Sequence, residues 1–235
     1  MKSNYTQRFK DAPWIVKQSE TVLIGGAGGI SSWVVLLLSR MNAQDTLQLE
    51  VFDFDTIEEH NIGGQFYRPS QIGEYKATAL KKNVEMFTDT KSIKDNIGEY
   101  NSQTIGHHLC ITGFDNMAAR KTMFLNWKKA IPYFTNNDFK NIKPIFIDGR
   151  LTADNIQIFC VTPENMSEYE NNYLFSDSEV EDAPCTFKQT SYLAAIIGGL
   201  MVNCFLNHIQ NSYNTNVTFT VPFKTEFYAP LMLLS

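Results

Sequence analysis

Between Asp53 and Lys76 the chain places two acids, Asp53 and Asp55, then Asn61, Gln65, Arg68 and Lys76, within 24 residues. A hydride-transfer enzyme has no need of that polar density after its second strand. A triphosphate does need it: acids for Mg²⁺ and ribose, amides for phosphate oxygens, and a cation for their charge. Upstream, VLIGGAGGISSWVVLLL (22–38) runs a β-branched stretch into glycines and then into an apolar helical segment. Glycines at a helix N-terminus let backbone N–H groups and the positive end of the helix dipole approach an anion. Gly26-Ala27-Gly28-Gly29-Ile30-Ser31 reads G-x-G-G-x-S. Alone, this leaves open a dinucleotide, an ATP, or a tight turn that needs small residues. Asp53, 24 positions after Gly29, stands where a ribose-binding acid belongs, without separating NAD from ATP. No G-x-x-x-x-G-K-[ST] is present, which excludes a P-loop.

The elements that must position these residues alternate between strand and helix. TVLIG (21–25) reads as a buried strand, with a helix from about Gly29 to Arg40 and a second strand over 47–55. The spacing of Ala77, Leu80, Val84 and Phe87 predicts a helix over 72–87. A strand over 108–116, a helix over 117–130 and strands over 143–150 and 156–163 follow, the last turning back antiparallel. Residues 163–184 are polar and acidic and read as a surface loop or lid, ahead of a long apolar helix over 186–209. Thr186-x-x-Gln189 opens that helix as a capping box, and 216–223 is expected as a last strand. The fold class expected is α/β: a Rossmann-like, mostly parallel sheet with helices on both faces and some antiparallel strands toward the C-terminus. Ligands in such sheets sit beyond the carboxyl ends of the strands, where Gly25–Gly29, Asp53, Asp55, Asp115, Asn116 and Asp148–Arg150 all fall.

The 235 residues suffice for one domain over 1–235 with a full core. A net charge of −5, with no basic cluster, argues against a nucleic-acid partner. Cys110, Cys160, Cys185 and Cys204 form no C-x-x-C pair, against a zinc ribbon or disulfide framework and in favour of a reducing compartment. The first 20 residues hold no apolar signal core, and Tyr192–Leu206, broken by Asn203, is shorter than the ~20 residues a membrane span needs. A soluble, cytoplasmic protein with no membrane partner is expected.

GAGGIS, DFDTIEEHNIGGQ, IGEYK and GFDNMAAR together resemble the ThiF/MoeB adenylyltransferases and the ubiquitin-activating enzymes built on the same domain. The resemblance runs from about Val22 to Ile209. It implies a ThiF-like ATP-binding domain that adenylates the C-terminal carboxylate of a ubiquitin-like or sulfur-carrier protein with Mg-ATP. Gly26, Gly28 and Gly29 would approach the ATP and Asp53 would hold the ribose. Asn61 and Gln65 would lie along the phosphates, and Lys76 would neutralise them. Asp115 would bind Mg²⁺, with Asp55 as a second ligand, and Asn116 and Arg120 would order the loop. The family reads N-L-x-R-Q where this chain has Asn61-Ile62-Gly63-Gly64-Gln65, so a phosphate-binding arginine is replaced by Gly64. The expectation is that Arg68 reaches back, or that Lys76 and a partner subunit compensate.

Cys185, just before the capped helix, stands in a context like that of the thioester-forming cysteine of compact activators. A helix N-terminus favours thiolate, whereas Glu179, Glu181 and Asp182 oppose it. Relatives are commonly dimers, and Ala194–Val202, with Gly198-Gly199, is one candidate interface. A conjugating enzyme is a further candidate partner. Two alternatives stay open: an NAD- or FAD-dependent oxidoreductase, and a degenerate, non-catalytic binding module of the same fold.

Overall fold

A computed structural model describes residues 16, 19–42, 45–88, 90–135, 142–176, 191–213 and 216–235. Eight strands form one sheet in the order β3-β2-β1-β4-β5-β6-β7-β8. They are β1 (Glu20–Gly25), β2 (Leu47–Phe52), β3 (Ile93–Asn96), β4 (Leu109–Thr112), β5 (Ile145–Leu151), β6 (Asn155–Val161), β7 (Lys224–Tyr228) and β8 (Leu233–Leu234). The first five strands are parallel and the last three antiparallel. The helices are α1 (Gly29–Met41), α2 (Lys76–Thr88), α3 (Met117–Thr135), α4 (Met166–Asn172) and α5 (Ser191–Tyr213).

The sheet is buried on both sides, as a parallel sheet with crossover helices must be. Val22, Ile24, Leu49, Ile111 and Ile147 face the core beneath α1, α2 and α5. Leu23, Cys110, Phe146 and Phe159 face a second, aromatic core with Phe124 and Trp127 of α3 and Tyr169 of α4. Gly198 of α5 lets that helix lie against α1, since a Cβ there would stand 2.6 Å from Trp33 Cβ. The residue expected to permit an interface between subunits is thus used within the chain. Cys110, Cys160 and Cys204 are buried, and burial pushes the Cys110 thiol up to about 12.

Several boundaries differ from the sequence expectations, each for a visible reason. The helix expected from 72 starts at Lys76, because Gly73 takes a positive φ of 89° and its N–H bonds Ile57 O. Residues 73–76 pair instead with 55–57. Phe87, the last of the expected apolar stripe, is exposed and lies against Phe66. The expected loop from 163 contains α4, which fully buries Tyr169; beyond Ser176 that loop lies outside the described residues.

The last strand is not at 216–223 but at Lys224–Tyr228. The Asn207 and Asn211 side chains of α5 occupy backbone groups of Phe219 and Thr220, which holds that segment along the helix rather than in the sheet. Helix α5 has 23 residues, long and apolar enough by itself to cross a membrane, contrary to the shorter span expected. Its apolar face is spent on the core: Leu193, Ile197, Met201 and Phe205 are fully buried. Strand β3 has no counterpart among the expectations.

Candidate nucleotide site

Gly25, Phe52, Asn96, Thr112 and Asp148 lie in one register row, which defines the carboxyl edge of the parallel sheet. The chain leaves β1 through Gly26, whose φ of 85° suits glycine. A Cβ at Gly26 would also sit 3.4 Å from the Gly113 backbone. The turn after β4 therefore runs directly beside the glycine turn, with Gly113 N–H bonded to Gly25 O. Helix α1 begins with no side-chain cap and no acid in its first turn. Its leading N–H groups and dipole are left for an anion. A Cβ at Gly28 would meet nothing within 4 Å, so the backbone there borders open space.

Asp53, one residue beyond β2, first serves this turn. Its Oδ2 accepts the Ala27 N–H at 2.7 Å and its Oδ1 the Asp55 N–H at 2.9 Å. Burial pushes the Asp53 carboxyl above the usual range, against those two N–H groups and Lys76. Each oxygen keeps a second lone pair for a ribose hydroxyl. Lys76, the first residue of α2, donates its backbone N–H to Asp55 O at 2.9 Å, and its Nζ lies 2.8 Å from Asp55 Oδ2. The lysine side chain is 12% exposed and the aspartate 47%.

Asn61 is buried in the short turn Glu59–Asn61, where its Oδ1 accepts the Glu58 N–H. Gln65 Oε1 is buried without a partner among the described residues. An amide so placed can turn its donors toward a phosphate oxygen. These features fit a bound nucleotide phosphate: an uncapped helix start, open space at Gly28 and an amide with unused capacity.

Arg68 is not brought to the glycine turn. Its Nη2 instead lies 3.4 Å from Asn83 Oδ1 of α2. Asp115 is exposed beyond β4, with Asn116 Nδ2 3.3 Å from its Oδ1. Asn116 Oδ1 accepts the Ala119 N–H and so caps α3. Among the described residues no three His, Cys, Asp or Glu side chains gather to hold a metal. Mg²⁺ takes only one or two carboxylates when phosphate oxygens supply the rest, so the donor set is compatible with it. Cys185 lies outside the described residues.

Two residues had no role assigned from the sequence, Tyr67 and Asp148. The Tyr67 hydroxyl donates to Ala27 O and stands 3.2 Å from Lys76 O. Asp148, fully buried, accepts from Arg120, from Arg150 Nε at 2.7 Å and from Tyr169 at 2.8 Å. Arg120 also holds Phe114 O and Gly149 O, which fixes the turn ahead of Asp115. A buried tyrosine needs a partner for its hydroxyl, yet nothing in QFYRP says which.

Fold and site define a Rossmann-like α/β protein with an uncapped glycine turn at its carboxyl edge. The chain belongs to the ThiF family, whose model matches residues 15–228. Ubiquitin-like modifier-activating enzyme 5 of Dictyostelium discoideum is 32% identical over 85 residues, which are 36% of this chain and 21% of that protein. Among solved structures, E. coli MccB with ATP superposes with a TM-score of 0.66 at 13% identity, over 98% of this chain and 68% of that one. MccB with MccA-N7isoASN gives 0.68 at 13%, over 98% of this chain and 65% of MccB. PaaA gives 0.62 at 16%, over 94% and 64%. The chain thus spans about two thirds of the MccB and PaaA chains.

Proposed function

We propose that this protein binds ATP at the glycine turn and adenylates the C-terminal carboxylate of a ubiquitin-like protein, sulfur carrier or peptide. The observation that carries the proposal is the convergence, on one sheet edge, of an uncapped helix start, the Asp53-locked turn and the largely buried Lys76. Family membership supports it, as does a neighbour solved with ATP. It weighs against the dinucleotide oxidoreductase.

In the proposed reaction a carboxylate oxygen attacks the α-phosphorus and pyrophosphate leaves. Two anions must be brought together, so catalysis rests on alignment and charge neutralisation rather than on a side-chain base. Lys76 would face the phosphates, Gln65 and Asn61 would lie along them, and Asp53 would meet the ribose. Mg²⁺ when bound would offset triphosphate charge, with Asp115 and Asp55 to hold it. Passage of the acyl group to Cys185, a conjugating enzyme as recipient, a homodimer and a cytoplasmic setting belong to the same proposal. Gly64, and an Arg68 whose Nη2 contacts Asn83, favour a second reading, a binding module that has lost turnover.

Thermal unfolding with a nucleotide panel tests the binding step. At a hundredfold excess over Kd, Mg-ATP is expected to add about 2.7 kcal/mol. That is a rise of roughly 5–10 °C for a chain of this size. NAD and FAD should add nothing, and Gly28→Ala, which fills the open space, should shrink the ATP shift without lowering the unliganded Tm. Stabilisation by NAD or FAD and not by ATP would refute the proposal.

A further inference from the structure

We infer that the Tyr67 hydroxyl is a positioning group that couples the glycine turn to Lys76, making nucleotide capture and placement of the ammonium a single event. The inference rests on the nucleotide reading above and says how that site is held.

Ala27 is gripped from both ends, its N–H by Asp53 Oδ2 and its carbonyl by the Tyr67 hydroxyl. The single proton of that hydroxyl is shared with Lys76 O, 3.2 Å away, as the longer arm of a bifurcated bond. Lys76 in turn binds Asp55 through backbone and side chain, and the Asp55 N–H binds Asp53 Oδ1. The contacts close a ring: Ala27, Asp53, Asp55, Lys76, Tyr67 and back to Ala27. All five of its links use a backbone atom, so a shift at the turn is passed to the first residue of α2. Tyr67 is the member whose hydroxyl joins the two ends.

Burial, with Asp53 nearby, holds that phenol well above its ordinary range, so it remains a donor at any working pH. Phenylalanine would fill the same volume and remove only the link. Tyr67 itself meets no reacting atom; it acts through the turn and through Lys76.

The test is a double-mutant cycle on ATP affinity, measured by calorimetry with the full chain. Tyr67→Phe is expected to weaken Mg-ATP binding about tenfold in the native background, and less than about threefold when Lys76 is already alanine. A merely structural tyrosine would move the unliganded Tm and give equal factors in both backgrounds. Equal factors, or no effect in the native background, overturn the inference while leaving ATP binding intact. Failure of the unmodified protein to bind ATP brings down the nucleotide reading as well.

Should Tyr67→Phe not fold, hydrogen exchange on the unmodified protein decides. A non-hydrolysable ATP analogue should protect the amides of Gly26–Gly29 and Lys76–Ala79 together. Protection confined to the first set overturns the coupling.

Discussion

Lys76→Ala is expected to lower ATP–pyrophosphate exchange at least about 100-fold, the usual loss when a preorganised group that stabilises transition-state charge is removed. Its ammonium is set on the first residue of α2, largely screened from water and bonded to Asp55. Gly64 removes one cation that the family pattern places nearby, and Arg68 is spent on Asn83. Among the described residues that leaves Lys76 as the cation joined to the glycine turn through Asp55 and Asp53. The fold should tolerate the change, because Asp55 is half exposed and water can replace its partner. Exchange should therefore collapse while the unliganded Tm moves by about 2 °C or less. Lys76→Arg should recover part of the rate, since it restores charge at a different shape. Exchange unchanged in Lys76→Ala would remove the lysine from the chemistry.

Asp148→Ala is expected to cost about 3–5 kcal/mol of stability, because it strands two buried guanidinium groups without their carboxylate. For a chain of this size that is a fall in Tm of roughly 10 °C or more. Arg120 and Arg150 are 8% and 14% exposed and Asp148 is fully buried. Water therefore cannot take over the lost contacts as it can at Asp55. Asp148→Asn should lose less, because its one amide oxygen keeps an acceptor for either Arg120 or the Arg150–Tyr169 pair, while its NH2 faces the donors on the other side. Chemical denaturation of both variants measures the difference. Equal stability of Asp148→Ala and the native protein would show that the cluster carries no net stabilisation.

What the sequence showed followed from local signals. The run from β-branched residues through glycines into an apolar helix announces β1, the turn and α1, and acids after a second strand mark the same sheet edge. Elements whose reason lies elsewhere in the chain stayed hidden. Strand β3 reads as IKDN, half charged; it is held by parallel pairing to β2 and by Thr78 and Lys81 of α2 on Asp95. The β7 boundary was displaced by Asn207 and Asn211, whose amides look like ordinary polar positions on a helix.

The site was legible as a set of residue types but not as a circuit. Asp53 and Lys76 were expected to meet a nucleotide, yet both are first committed to neighbours, Ala27 and Asp55. Tyr67 gave no signal because a tyrosine among apolar residues reads as core until its hydroxyl partner is seen. Asp148 lay on the expected edge without a role, since its donors come from α3, β5 and α4, and α4 itself was read as loop. Arg68 was expected near the phosphates by proximity in sequence. The structure places its Nη2 at 3.4 Å from Asn83 Oδ1, on α2.

The central claim, carboxylate adenylation, is tested most directly by ATP–pyrophosphate exchange with the full chain and Mg²⁺. The substrates are ubiquitin-like proteins and peptides with a free C-terminal carboxylate, each beside its C-terminally amidated form. The account predicts exchange that requires both ATP and the free carboxylate and disappears on amidation. ATP binding with no exchange across the panel, or exchange that persists with amidated substrates, would contradict it.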